Sequence, residues 1–466
     1  MLAKQIDLPL SKSLLNRALI AIAAQGNLSI WLDENTKIVN NGCRDTRLLI
    51  AALKAKQANN HSEHYFQDAG TPSRLFTAFA AAHFTGPCKI IGNTSLNSRS
   101  IEPLVSALTA MGADIQYCDQ IGFTPIFIRQ GIKAWTDVRI SAAVSSQYAS
   151  ALLLIAPLFP GTKKITIVDG THSQAYIDMT VDLLNRIGIE TINVSSETDR
   201  CITIHGEYHD SNKTIHSNLL ESDWSSAAFF YPLLLGMPND ITFELLGLRM
   251  SNSTGDAKRN ISELDSDNPI GEAELTTNER SFQGDAELHN LGTFLGINSE
   301  KTDNGILISR NPRVTEGIVS PMTMQLTNEE ILQRSDTLRI NLKNNPDLVP
   351  AMVVGWCILG KSVVIGGIHN LRYKECDRIA ALQDNIKALG CSLTQVGEEL
   401  EDQWVLNCSD RCFPAQLHVN THSDHRIAMA FSALKPWIGA LSYTDADCVE
   451  KSFPQFWEQL KKCTFE

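Results

Sequence analysis

The run Ser145-Ser146-Gln147-Tyr148-Ala149-Ser150-Ala151-Leu152-Leu153-Leu154-Ile155-Ala156, followed by Gly161, decides the fold. A polar cluster opens it, small and apolar residues fill it, and a glycine lies beyond its end. That order reads as a helix with a capped start, apolar nearly all round and therefore buried on most faces. The same shape recurs in five other places: Ser11-Lys12-Ser13 to Gly26, Gly70-Thr71 to Gly86, Ser222-Asp223 with Ser225-Ser226 to Gly236, Asn345-Pro346-Asp347 to Gly360, and Asp424-His425-Arg426 to Gly439.

Working outward, each buried helix is followed by an amphipathic one: Ile101–Leu108, Tyr176–Leu184 and Arg378–Leu389 are examples, the last ending at Gly390. Short β-type runs accompany them at Lys164–Val168, Cys201–His205, Ile306–Ile308 and Ser362–Ile365. Six copies of such an α/β unit exceed one core, so two domains of three units each are expected. The interval from Gly236 to Gly360 is the longest. It carries a polar stretch, Ser251–Arg280, that reads as an inserted surface excursion.

The 466 residues are 43% hydrophobic and 20% charged, which excludes a disordered, collagen-like or coiled-coil chain. A net charge of -12 argues against nucleic acid as partner. The opening Met1–Asp7 lacks the apolar segment of a secretory leader, and no run is long enough to span a membrane, so a cytoplasmic protein is expected. The eleven cysteines read as packed thiols of a reducing compartment, and no metal site is expected among them.

Function is written at the helix starts. In every repeat the polar residues gather at the N-terminus of the buried helix, where unpaired N–H groups and the helix dipole favour anions. Cations crowd the same places: Lys12, Arg17, Arg74, Arg99, Lys374, Arg378, Arg426 and Lys451. A cation there opposes the dipole, so the set as a whole calls for an anionic ligand, although a single segment could be an ordinary cap. Two acids, Asp347 and Glu375, stand among these charges and could work as base and acid. Lys374 and Arg378, spaced i,i+4, would share a helical face that excludes Glu375.

These residues match a known family in order. The motifs are Leu8-Pro9-Leu10-Ser11-Lys12-Ser13 with Asn16-Arg17, Asp68-Ala69-Gly70-Thr71, Val144-Ser145-Ser146-Gln147, Gln283-Gly284-Asp285, Pro346-Asp347, Asn370-Leu371-Arg372 with Lys374-Glu375 and Asp377-Arg378, Asp424-His425-Arg426, and Glu450-Lys451-Ser452-Phe453-Pro454. Along nearly its whole length the chain resembles the 5-enolpyruvylshikimate-3-phosphate synthases (3-phosphoshikimate 1-carboxyvinyltransferases). The resemblance implies two similar domains of three α/β repeats, an inside-out barrel-like fold, closing over an active site in the interdomain cleft. The domains would be residues 10–220, and 1–9 with 221–466 carrying the insertion 251–280.

The implied reaction moves the enolpyruvyl group of phosphoenolpyruvate to the 5-hydroxyl of shikimate 3-phosphate. It needs neither metal nor organic cofactor, and the implied protein is a monomer. By resemblance Asp347, Glu375, Lys12 and His425 are catalytic. The shikimate 3-phosphate site is Lys12, Ser13, Arg17, Ser145, Ser146, Gln147, Ser173, Tyr176, Asp347, Asn370 and Lys374. The phosphoenolpyruvate site is Lys12, Gly70, Arg99, Gln147, Arg378, Arg426 and Lys451. Gly70 implies the glyphosate-sensitive form of the pocket.

The chain departs from the family pattern at Leu10, at Asp68 in place of Asn, at Ser222 in place of Gly, at Cys376 in place of Thr, and in the looser surroundings of Arg99. Asp68 would bring negative charge close to an anion site. Two other readings are weighed: a UDP-N-acetylglucosamine enolpyruvyl transferase, which lacks the Ser-Ser-Gln and Lys-Glu-x-Asp-Arg sets, and a non-catalytic phosphometabolite-binding relative, which would lack Lys12, Asp347 or Glu375.

Overall fold

Four sheets among the described residues share one wiring. Each opens with two parallel strands, and the third and fourth strands then add antiparallel, with the last strand in sequence lying third in the sheet. Parallel neighbours cannot be joined by a tight turn, so each pair needs a crossover, and a buried helix supplies it. The computed structural model of the protein describes residues 2–58, 63–142, 145–168, 173–196, 199–208, 215–250, 280–311, 326–397 and 402–464. The polar stretch 251–280 lies outside them except for Arg280, as does Val144. The chain divides into two compact units, Leu10–Leu220 and Met1–Pro9 with Glu221–Glu466.

In the unit 10–220, one sheet runs in spatial order Glu63–Tyr65, Cys88–Ile91, Ile126–Gln130, Asp114–Tyr117. The second runs Val138–Ser141, Lys163–Val168, Arg200–His205, Glu190–Ser195. Helices Gly70–Ala82 and Gln147–Ile155 make the two crossovers and pack against each other and against helix Lys12–Ala24. Burial explains their composition: Leu14 to Ala23 and Tyr148 to Ile155 are buried without a break. A helix enclosed on every side has no place for a polar stripe.

The first repeat differs from the expected α/β unit. Helix Lys12–Ala24 is followed by helices Leu28–Glu34, Thr36–Asn40 and Arg44–Gln57, with no strand of its own among the described residues. Arg44–Gln57 buries Asp45, Thr46, Leu49, Ile50, Leu53 and Lys56, a helical period. No β-branched run bounded by turns competes with it.

In the other unit, the N-terminal strand Leu2–Ile6 pairs in parallel with Ile241–Leu246, so the whole of 10–220 lies within one crossover. Gly305–Arg310 and Ile297–Lys301 complete that sheet. The next sheet is Leu338–Asn341, Val363–Gly366, Gln403–Asn407, Ser392–Val396. The last repeat keeps only the parallel pair Gln416–Val419 and Ala440–Tyr443. Helix Val349–Leu359 is buried from Val349 to Ile358 and stops at Gly360, whose φ of 67° closes the helix in a conformation other residues resist. Phe230–Leu234 and His425–Ser432 pack against it. Among the described residues no helix is long and apolar enough to cross a membrane.

Candidate active site

The expected site residues fall into two sets, one in each unit. In the unit 1–9 with 221–466, the centre is Arg378, the first residue of helix Arg378–Ile386. Asp377 caps that helix by accepting from the Ala380 N–H at 3.1 Å. The Arg378 guanidinium is 1% exposed and donates to three carboxylates: Nε to Asp424 Oδ2 at 2.7 Å, Nη1 to Asp347 Oδ1 at 2.9 Å, and Nη2 to Glu375 Oε2 at 2.7 Å. Arg426, also buried, donates Nη2 to Asp347 Oδ2 at 2.8 Å and Nη1 to the Asp347 carbonyl at 3.4 Å. Lys451 Nζ stands 3.6 Å from Glu375 Oε1, and His425 Nδ1 lies 3.4 Å from Asp424 Oδ1.

The helix starts hold these groups in place. Asp424 accepts from the Arg426 N–H at 2.9 Å and so caps His425–Ser432, while its other oxygen receives Arg378. Asp347 precedes helix Val349–Leu359 and is not its cap; both its oxygens go to the two arginines. The three donations from Arg378 use one N–H on each nitrogen, and each terminal nitrogen carries one more.

Lys374 and Arg378 do not share a helical face. The helix begins at Arg378, and Lys374 ends the preceding single turn His369–Tyr373. That break lets Glu375 fold back onto Arg378. Burial pushes the Lys374 ammonium down, opposed by the Asp347 carboxylate. Asn370 sits in the same turn, its Oδ1 buried without a hydrogen-bond partner.

Sequence reading assigned no role to Asp285, of the Gln283-Gly284-Asp285 motif. It is buried, accepts from Ser225 Oγ, and lies 3.5 Å from Asn345 Nδ2. Burial, and then the Asp347 charge, push its carboxyl from 3.8 up to about 6. A carboxyl raised in the folded state holds its proton better there, so its share of stability is present below the ordinary value and is lost as pH rises through about 6. The thermal midpoint of Asp285→Asn should therefore gain on the parent as pH rises across that window; a difference constant with pH would contradict this.

In the unit 10–220, Gly70 opens helix Gly70–Ala82. A Cβ at Gly70 would stand 3.1 Å from Arg99 Nη1 and 3.4 Å from Arg74 Nη1, so a side chain there would make the Arg99 guanidinium give by a few tenths of an ångström. Arg74 Nη1 donates to Gln147 Oε1 at 2.6 Å, and Gln147 Nε2 donates to Thr71 Oγ1 at 2.9 Å. Ser145 Oγ accepts from the Gln147 N–H at 3.3 Å, and Ser146 is buried beside it. Arg74 is an anchor that sequence reading counted only as a cation.

Arg99 donates to the Asp68 and Ser95 carbonyls. The Asp68 carboxylate is turned to Arg44, with Nη2 at 2.7 Å from Oδ1. The expected stray negative charge is therefore paired, by a residue the motifs did not single out. Lys12, first in helix Lys12–Ala24, is likewise paired, its Nζ 3.1 Å from Asp45 Oδ2, and Ser13 follows it half-buried.

Arg17 is buried in a neutral setting. It donates to Thr180 Oγ1 at 2.8 Å, Ser150 Oγ at 3.1 Å, and the Ser13 and Tyr176 carbonyls at 2.8 and 3.2 Å. Burial pushes its guanidinium down to about 10, still charged at neutral pH. Tyr176 thus holds Arg17 through its backbone. Ser173, at φ 57°, is buried at the start of helix Gln174–Arg186.

A repeated α/β chain with acids set among buried cations at helix starts has the makings of an anion-handling enzyme. Comparison with known proteins makes the class specific. The profile of the EPSP synthase (3-phosphoshikimate 1-carboxyvinyltransferase) family matches residues 2–264 and 305–460, and the chain belongs to that family. A 3-phosphoshikimate 1-carboxyvinyltransferase of Bacteroides fragilis (strain YCH46) is 28% identical over 463 residues, covering 99% of this chain and 95% of that protein. One from Methanospirillum hungatei JF-1 is 26% identical over 435 residues, covering 93% and 83%. Among solved structures, EPSP synthase from Acinetobacter baumannii superposes with a TM-score of 0.62 at 18% identity, covering 99% of this chain and 96% of that one. The enolpyruvyl transferase NikO from Streptomyces tendae gives 0.57 at 11%, covering 99% and 95%. The fold is thus shared with an enolpyruvyl transferase of another name, and the side chains must specify the reaction.

Proposed function

We propose that the chain transfers the enolpyruvyl group of phosphoenolpyruvate to the 5-hydroxyl of shikimate 3-phosphate, releasing phosphate, and that both sets of residues serve this one reaction. The observation that carries the reading is the Arg378 network: two carboxylates, Asp347 and Glu375, fixed on one buried guanidinium with Arg426 and Lys451 beside them.

The addition step forms a bond between the hydroxyl oxygen and C2 of phosphoenolpyruvate, while C3 gains a proton and becomes a methyl group. Asp347 takes the hydroxyl proton, and Glu375 delivers one to C3. In the elimination, the bond from C2 to the phosphate oxygen breaks, the methyl group returns a proton to Glu375, and the proton held by Asp347 leaves with the released phosphate. Incoming phosphate and carboxylate groups compete with Glu375 for Arg378 and Lys451, which releases it to carry that proton. Arg378, Arg426, Lys451, Arg99 and Lys12, with the bare N-terminus at Gly70, hold phosphoenolpyruvate. Arg17, Ser13, Ser145, Ser146, Gln147, Ser173, Tyr176, Asn370 and Lys374 hold shikimate 3-phosphate. His425, beside Asp424, assists at the reacting end.

A phosphate-release assay tests this directly. Release with phosphoenolpyruvate and shikimate 3-phosphate is expected, and none with UDP-N-acetylglucosamine. The reverse pattern would transfer the chain to the other reaction, and silence with both would leave a binding protein.

The Arg44–Asp68 pair gives a sharper test. Arg44→Ala removes the cation 2.7 Å from a carboxylate two residues before the phosphoenolpyruvate-binding Gly70. It should raise KM for phosphoenolpyruvate about tenfold, equivalent to ~1.4 kcal/mol, with kcat little changed. Asp68→Asn alone should change little, and the double variant should recover. A double variant as impaired as Arg44→Ala would show that Arg44 acts otherwise.

A further inference from the structure

Three buried cysteines that take no part in the Arg378 network converge in the unit 1–9 with 221–466. Cys357 lies near the C-terminal end of helix Val349–Leu359, Cys391 follows the Gly390 turn, and Cys408 directly follows strand Gln403–Asn407. The register explains two of them. Ser392 pairs with Asn407 across antiparallel strands, so Cys391 and Cys408 are the next opposed pair, and the helix brings Cys357 over them. The three sulfur atoms lie within 4.8 Å of one another, and all three residues are buried. Among the described residues no other group of three His, Cys, Asp or Glu side chains is so arranged.

We propose that Cys357, Cys391 and Cys408 form a binding site for one thiophilic d10 cation, zinc or cuprous copper, held by three thiolates. Thiolates at about 2.3 Å from a zinc ion stand roughly 3.8 Å apart, so the trio needs a contraction of at most about 1 Å. With no carboxylate or imidazole among the donors, the site disfavours magnesium, calcium and manganese. Half-buried Arg411 and exposed Asp410 bring opposite charges near Cys391. Binding exchanges the three thiol protons for the cation and releases them to solvent. The ion would tie the C-terminal end of helix Val349–Leu359 to two strands of its sheet. The N-terminal end of that helix follows Asp347, so the clamp steadies the element that carries a site carboxylate.

The test titrates the reduced, chelator-stripped full chain with cadmium chloride, followed by the sulfur-to-cadmium charge-transfer absorbance. Zinc chloride and anaerobic cuprous ion compete in separate arms to identify the preferred ion. One equivalent should saturate the band and raise the thermal midpoint. Cys391→Ala and Cys357→Ala should weaken binding by more than the roughly 10–100-fold that loss of an outer-shell partner costs. Cys118→Ala and Cys412→Ala, at exposed thiols, should leave it unchanged. No band, a band retained in Cys391→Ala, or a band lost in Cys412→Ala overturns the proposal. Should the buried variants fail to fold, X-ray absorption of the metal-loaded parent decides: three sulfur neighbours near 2.3 Å are expected, and a shell of oxygen and nitrogen alone refutes the site.

Discussion

Asp347→Asn is expected to fold and to lose kcat by about 10²–10⁴-fold, the range for removal of a positioned general base. The substitution keeps the shape and one acceptor oxygen. Arg378 retains Glu375 and Asp424, at 2.7 Å each, and Arg426 retains the backbone carbonyl at 3.4 Å, so neither buried cation is stranded. What is lost is the charge proposed to take the hydroxyl proton. Circular dichroism should be unchanged, and single-turnover kinetics should show the loss in the chemical step rather than in product release. A kcat within tenfold of the parent would remove Asp347 from the role of base. Asp347→Ala, which also opens the contacts to both arginines, should lose turnover as fully and some stability besides.

Arg378→Leu is expected to destabilise the protein by about 3–5 kcal/mol, as breaking a buried ion network does. The leucine leaves Asp347, Glu375 and Asp424 facing one another without the cation that all three contact. Neighbouring carboxylates resist ionising together, so their carboxyls in the folded variant are pushed up. Stability carried by raised carboxyls is present at low pH and lost as pH rises. The variant should therefore regain thermal stability as pH falls toward about 5 by more than the parent does through Asp285 alone. Arg378→Lys should rescue only part, because one ammonium cannot fork to three carboxylates. A leucine variant as stable as the parent at neutral pH would show that the network contributes little to the fold.

Much of the fold was legible because it is written locally. The apolar bodies from Leu14 to Ala23, from Tyr148 to Ile155 and from Val349 to Ile358 announce enclosed helices. The β-type runs around Lys164–Val168 and Ser362–Ile365 fell on strands Lys163–Val168 and Val363–Gly366. The first repeat misled, since a buried helix followed by a second helix looks the same in sequence whether or not a strand lies between them. The face shared by Lys374 and Arg378 also misled, because i,i+4 spacing has meaning only inside a helix, and the helix starts at Arg378.

By itself, then, the amino-acid order determined the repeated α/β units, the polar helix starts and the identity of the acids and cations gathered there, because periodicity, capping and helix dipoles act over a few residues. Tertiary structure alone decided which charge answers which. Arg44 meets Asp68 across 24 residues, Arg378 meets Asp424 across 46, and Arg426 meets Asp347 across 79. Such pairs form only once the crossovers bring distant helix starts together, where desolvation makes each buried charge depend on its partner. The cysteine trio belongs to the same class: strand register and helix packing converge three sulfurs that the linear sequence leaves scattered.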